Sequence, residues 1–372
     1  VAEESLRAPF PWFGGKRRAA ALVWGALGDV RNYVEPFAGS AAVLLGRPIP
    51  EDAGRLRETI NDADGLLANF WRALRADPAS VAHHADWPVN ENDLHARHAW
   101  LVGQRENLTA RLEGDPDWYD VKAAGWWVWG CCAWIGSGWC SGRGPWGIAE
   151  DEDGNKVLAH LGDAGRGVKR TLPHLGDAGR GVNRKLPHLG NAGRGVNRQL
   201  PHLGSAGSYG LGVLGVSRGP LTDYMDRLAA RLRYVRVACG DWSRVTGPSV
   251  TWRHGLTGVF LDPPYGAASG RGDAVYAKDS GDVAAAARAW AIENGDNPLL
   301  RIVLAGYEGE HDMPAGWTSV GWKAAGGYGS QGQGTGRENA AREMLWLSPH
   351  CLRAAPSTAP VALVDARQEA LF

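Results

Sequence analysis

A chain of 372 residues with 44% hydrophobic and 22% charged residues can bury a large core, which excludes a disordered chain. Forty Lys and Arg balance forty Asp and Glu, so no global field draws in a polyanion, and attraction to one rests on local clusters. Five cysteines without a CxxC pair exclude a complete disulfide framework. They read as buried small hydrophobes, and no metal site is expected.

The elements follow in chain order. Arg17 to Leu27 is rich in Ala and Leu and reads as a helix. Asn32 to Val34 leads a short strand into Glu35-Pro36-Phe37-Ala38-Gly39-Ser40, and Ala41 to Leu45 starts the next helix. Thr59-Ile60-Asn61-Asp62 is a strand ending in an acid, and Gly65 to Arg75 has apolar residues at helical spacing. Strand, turn, helix, strand, acid is the order of an open, nucleotide-binding α/β sheet. Residues 90–125 read as helical and polar, Leu94 to Leu112 most clearly.

Composition then shifts. Gly125 to Trp146 carries Trp126, Trp127, Trp129, Trp134, Trp139 and Trp146 among Gly, Ser and Arg143. Trp126, Trp127 and Trp129 read first as core. Trp139 and Trp146 with Arg143 read as a surface for nucleic-acid bases and phosphate. From residue 160 the tripeptide His-Leu-Gly recurs with a period of 14, placing Arg166, Arg180 and Arg194 in register. Eight Lys and Arg face two Asp between 160 and 203, with too few large apolar residues for a core. Two readings stay open for this insertion: a solvated loop, or a phosphate-binding arm.

Regular structure resumes at Leu221, where Tyr224, Leu228 and Leu232 share a helical face. The strand Tyr234 to Val237 leads into Cys239-Gly240-Asp241-Trp242, and the strand Gly258 to Leu261 into Asp262-Pro263-Pro264-Tyr265. A helix over Val283 to Ile292, a strand over Arg301 to Leu304 and a strand pair over Trp317 to Trp322 and Glu343 to Leu347 complete the pattern. The sequence thus divides into two catalytic segments, 1–85 and 220–355, around an inserted recognition region, 86–219, with a tail at 356–372.

Asp262-Pro263-Pro264-Tyr265 is the most informative tetrapeptide. Two prolines fix φ and donate no hydrogen bond, so the turn is rigid and its carbonyls are acceptors. A carboxylate and a carbonyl together can accept both hydrogens of a planar amine, and Tyr265 offers a face for an unstacked base. Asp62 is placed to accept two ribose hydroxyls, with Asp64 as the competing acid. Lys16, after a glycine pair, offers an ammonium to a ligand carboxylate, but the surrounding spacing is not that of a phosphate-binding Walker loop.

PWFGGKR, YVEPFAGSAAV, INDADG, ACGDW and FLDPPY, in that order, resemble the motifs of the Dam-type, alpha-class DNA adenine N6-methyltransferases over roughly residues 9–75 and 220–265. The resemblance implies a Rossmann-like methyltransferase sheet with an inserted target-recognition subdomain. It implies S-adenosyl-L-methionine as cofactor, double-stranded DNA as partner, and the cytoplasm of a bacterial or phage-infected cell as location. Cofactor contacts would come from Trp12, Lys16, Glu35, Pro36, Phe37, Gly39, Asp62 and Asp241, and catalysis from Asp262, Pro263, Pro264 and Tyr265. From the charge and aromatic pattern itself, and not from the resemblance, DNA contacts are expected from Trp139, Arg143, Arg166, Arg180 and Arg194. Where the family motif has a further glycine after Gly39, this chain has Ser40-Ala41-Ala42, and the 14-residue repeat has no counterpart in the family pattern. Modification of cytosine N4 or of RNA adenine, or silent DNA binding by the same fold, are the alternatives. The chain has no run of 18 apolar residues and no charged-then-apolar leader, so a soluble protein without a membrane partner is expected.

Overall fold

The computed structural model describes residues 6–12, 16–49, 56–134, 139–140, 146–150, 156–160, 220–264, 280–322 and 342–353. Tyr265, Arg143, Arg166, Arg180 and Arg194 lie outside the described residues, as do the tail and nearly all of the repeat.

The chain opens with helix α1 (Arg17–Leu27), strand β1 (Asn32–Glu35), the short helix α2 (Ala42–Leu45), strand β2 (Arg57–Asp62) and helix α3 (Gly65–Ala76). Helices α4 (Pro78–Ala85), α5 (Glu91–Gly114) and α6 (Val121–Ala133) follow, then a hairpin of β3 (Trp146–Glu150) and β4 (Lys156–His160). Helix α7 (Pro220–Leu232), strands β5 (Val235–Cys239) and β6 (Thr257–Leu261), helix α8 (Ser280–Asn294) and strands β7 (Leu300–Tyr307), β8 (Thr318–Gly321) and β9 (Glu343–Leu347) close the order.

Seven strands form one sheet in the order β5-β2-β1-β6-β7-β9-β8. The first five are parallel, while β9 runs antiparallel to both β7 and β8. Every residue of β1 and of β6 is buried, as expected for central strands covered by helices on both faces. The chain lays down β1, β2 and β5 in one direction and then returns to add β6 on the far side of β1. The carboxyl ends of β1 and β6 therefore flank the point where strand order reverses, and in open α/β sheets a ligand crevice forms there.

Local chemistry explains the helices. Asp64 caps α3 by accepting the Leu66 N–H (2.9 Å), Asp77 caps α4 through Ser80, and Asp120 caps α6 through Ala123. One face of α7 buries Leu221, Met225, Leu228 and Leu232, while Tyr224 donates its hydroxyl to the Arg7 carbonyl at 2.6 Å. Glu58, buried on β2, receives Arg47 at 2.9 Å and two bonds from Arg231 at 2.6 and 2.8 Å, which ties α7 to the sheet.

The 86–219 region does not begin with a break in packing. Trp127, Trp129 and Leu101 share one continuous core with Phe10, Leu27 and Phe70, so α5 and α6 extend the core of α1 and α3. Trp127 and Trp129 are each 1% exposed, in keeping with the core reading. Arg97 enters this core with its guanidinium over Trp129 (4.2 Å), Trp126 (5.1 Å) and Trp87 (5.3 Å). Cys131, Cys132 and Cys140 are buried here, where desolvation raises their thiols well above the ordinary range. Among the described residues no group of three or more His, Cys, Asp and Glu is arranged to hold a metal ion. No helix among them is long and apolar enough to cross a membrane.

Candidate active site

The turn after β1 is built to bring backbone close to a ligand. Gly39 has φ +47°, and a Cβ there would lie 2.2 Å from the Trp12 indole nitrogen, so Trp12 rests directly on a bare backbone. The Gly39 N–H donates to Asp62 Oδ2 (3.1 Å), and its carbonyl accepts the Trp71 indole N–H (3.2 Å). Asp62 Oδ1 accepts the Asp64 N–H at 3.0 Å. Burial pushes the Asp62 carboxyl up to about 6, against the pull of these N–H donors. Asp64 is engaged elsewhere, as the α3 cap and as a partner of Arg105 at 3.3 Å. Of the two acids, Asp62 is the one set at the strand end.

Asn61 spans the same edge. Its side-chain amide donates to the Pro36 and Gly240 carbonyls, both at 3.0 Å, and so links the ends of β1 and β5. Its Oδ1 is buried and has no hydrogen-bond partner among the described residues, which leaves an acceptor beside the turn. Asp241, exposed at the end of β5, caps a turn of 3-10 helix over Trp242–Val245 through Ser243. Phe37 and Trp242 lie with ring centroids 5.9 Å apart and planes 30° from parallel. Pro36 is buried and Phe37 half-buried.

On the other side of the reversal point, Asp262 leaves β6 with its carboxylate 17% exposed. Pro263 is buried behind it and Pro264 is half-buried. Lys16 Nζ lies 3.1 Å from Asp262 Oδ1 and 3.1 Å from Glu343 Oε2 on β9. The structure thus places the Lys16 ammonium between two protein carboxylates, where a ligand carboxylate was expected from the sequence. Glu35 Oε2 accepts the Tyr33 hydroxyl (3.0 Å) and the Leu44 N–H (3.2 Å). Desolvation raises the Glu35 carboxyl to about 8 despite both bonds, and the Asp262 and Glu58 charges add to the rise. Asp262 and Glu343 together outweigh the one ammonium of Lys16, and Glu35 holds its proton at neutral pH, so this edge of the sheet favours a cation over an anion.

The residues named from sequence at the ends of β1, β2, β5 and β6 therefore line one edge of the sheet. Trp139 is half-buried. Its ring fills the groove over Gly130, where a Cβ would lie 1.8 Å from it, and its indole N–H binds the Trp127 carbonyl at 3.0 Å. Sequence reasoning passed over Glu343, Trp242 and the orphan oxygen of Asn61. Trp242 had a signal, since it follows an acid at a strand end. Glu343 had only the oddity of an acid opening an apolar strand.

Fold and site together define a mixed α/β protein with a seven-strand, mostly parallel sheet that carries acids and aromatic side chains at its reversal-point edge. No family model matches the chain. Curated relatives do. The chain is 32% identical over 88 residues to the DNA adenine methylase of Vibrio cholerae serotype O1, an alignment covering 23% of this chain and 30% of the relative. It is 30% identical over 104 residues to the DNA N-6-adenine-methyltransferase of Escherichia phage P1, covering 27% of this chain and 13% of the relative. The chain thus spans less than a third of the length of the relatives it matches.

Proposed function

We propose that the chain is a site-specific DNA adenine N6-methyltransferase that uses S-adenosyl-L-methionine. Support comes from the named relatives, from the order of the motifs, and above all from one observation: Asp262, at the carboxyl end of β6, contacts Lys16 at 3.1 Å and lies near enough to Glu35 for their charges to interact. The fold is read as a Rossmann-like methyltransferase sheet. Its catalytic part is assigned to 1–85 and 220–355, and target recognition to 86–219.

The residues present fit the cofactor. The bare backbone of Gly39, the orphan oxygen of Asn61 and the raised carboxyls of Glu35 and Asp62 suit a cationic adenosine conjugate rich in hydroxyls and amines. Trp12, Lys16, Glu35, Pro36, Phe37, Gly39, Asp62 and Asp241 would hold it. When bound, it supplies an electrophilic methyl group on a sulfonium. Asp262 and the carbonyls of the proline turn accept the two amine hydrogens and turn the nitrogen lone pair toward the donor. An adenine amine is too weak an acid to be deprotonated first, so Asp262 orients and polarises, and it takes the surplus proton only after alkylation. No covalent enzyme intermediate is needed. The target base must leave the duplex, at a cost of a few kcal/mol, and Tyr265 would stack on it.

Phosphate contacts are assigned to Arg143 and to the repeat arginines Arg166, Arg180 and Arg194. Base contact is assigned to Trp139, whose half-buried ring also packs over Gly130. Neutralising about six phosphates would give a log–log salt dependence of roughly −5, and deletion of 160–203 should flatten it.

The decisive test is nucleoside mass spectrometry on DNA and RNA treated with the wild-type protein and Asp262→Ala. N6-methyladenine in DNA, lost about a thousandfold in the variant while DNA binding persists, is the expected result. N4-methylcytosine, methylated RNA alone, or no product from the wild type would overturn the reading.

A further inference from the structure

The antiparallel pair β8 and β9 takes no part in the reaction as described above, yet it supplies a charge to the pocket. Glu343 opens β9 and is 1% exposed, ahead of Met344, Leu345, Trp346 and Leu347. Burying an acid at the head of an apolar strand is costly unless it is paired, and Lys16 is a partner at 3.1 Å. Trp322, just beyond β8, donates its backbone N–H to the Glu343 carbonyl (3.0 Å) and sets its ring 5.5 Å from the same ammonium. The β8–β9 pair therefore holds both the acid and an aromatic face against Lys16.

We propose that Glu343 is a positioning residue for Asp262: by sharing the Lys16 ammonium, it lets the cation anchor Asp262 without neutralising it. The inference rests on reading Asp262 as the acceptor for the target amine. A lone Lys–Asp pair would satisfy the carboxylate and blunt it toward a weaker donor such as an amine. With two carboxylates on one ammonium the attraction is divided, and Asp262 keeps accepting power. Among the described residues, the charged and titratable groups seen around Asp262 include Lys16 ahead of α1, Glu343 from β9 and Glu35 from β1. Tyr33 bonds to Glu35, and Glu58 and Arg47 stand behind them.

The charges make opposite predictions for Glu343→Gln and Lys16→Met. Carboxyl 13C titration, with the Asp262 signal assigned through Asp262→Asn, reads them without any substrate. Glu343→Gln should lower the Asp262 midpoint by about one unit, and Lys16→Met should raise it by about one unit or more. Lys16→Met leaves Glu343 buried and unpaired, so Lys16→Met/Glu343→Gln serves as the foldable control, with a midpoint between wild type and Lys16→Met. In methylation assays Glu343→Gln should lose about tenfold in kcat with KM for DNA within about twofold, because binding is untouched. A midpoint that rises or stays put in Glu343→Gln overturns the proposal, and so does an unchanged kcat. A wild-type protein inert on every nucleic acid counts against the methyltransferase reading instead, whatever the titrations give.

Discussion

Lys16 and Arg97 are each 7% exposed, and the molecule accommodates the two buried cations in opposite ways. At the sheet edge, Lys16 is met by the carboxylates of Asp262 and Glu343, so its charge is matched by groups that can titrate and be re-partnered. In the helical layer, Arg97 is enclosed by the faces of Trp87, Trp126 and Trp129, with Asp93 distant at 4.0 Å. Indole faces do not titrate, and a guanidinium does not lose its proton there. One arrangement is suited to chemistry and the other to rigidity. The cation at the sheet edge is met by carboxylates; the cation in the helical layer is met by rings.

The comparison can be broken most forcefully at Gly39. Gly39→Ala would force a residue at φ +47° against Trp12, and cofactor affinity should fall at least about tenfold by calorimetry, with the helical layer intact by circular dichroism. Gly130→Ala drives a methyl into the Trp139 ring and should cost about 2–3 kcal/mol in urea unfolding, with KM for cofactor unmoved in the surviving native fraction. Arg97→Met should cost about 1–2 kcal/mol and leave the pH–rate profile unchanged; a shifted profile would erase the distinction between the two cations.

A further test sharpens the contrast through pH. Glu35 has a folded pKa raised to about 8 from an ordinary 4.5, so the native state binds the extra proton in between. Its contribution to stability is full below the ordinary value and is lost as pH rises through the folded one. Thermal midpoints of the cofactor-free protein should therefore fall between about pH 5 and pH 8, and Glu35→Gln should flatten that slope. A slope of equal size in Glu35→Gln would place the titrating group elsewhere.

Much of the sheet was legible from local pattern. The helix Arg17–Leu27 and the strand Glu343–Leu347 have the boundaries read from sequence, and β1, β2, β5, β6 and β7 differ only at their ends. What was missed has physical causes. Helix α4 was passed over although Asp77 before Pro78 is a cap followed by a first-turn proline. The tryptophan-rich stretch from Gly125 looked like a change of composition, yet α6 runs from Val121 to Ala133. An all-round apolar helix has no polar face to show its period, because it is buried on every side. The hairpin of β3 and β4 pairs Trp146–Glu150 with Lys156–His160, and the Asp153-Gly154 dipeptide between them in the sequence is a hairpin signal that the nearby repeat obscures. The strand-end residues Asp62, Asp241 and Asp262 announced themselves through their position after apolar runs. The Lys16–Glu343 contact did not, since it joins the two ends of the described chain and only the closed sheet brings them together.

The Glu58 clamp has a consequence for how this protein can change over time. Helix α7 re-enters the sheet by its own apolar face and by Arg231, whatever length of chain precedes it. Tandem 14-residue units just upstream are prone to duplication and loss, and a fixed landing point lets such events pass without displacing β5 or the strand ends. Copy number of the unit can then change independently of the sheet.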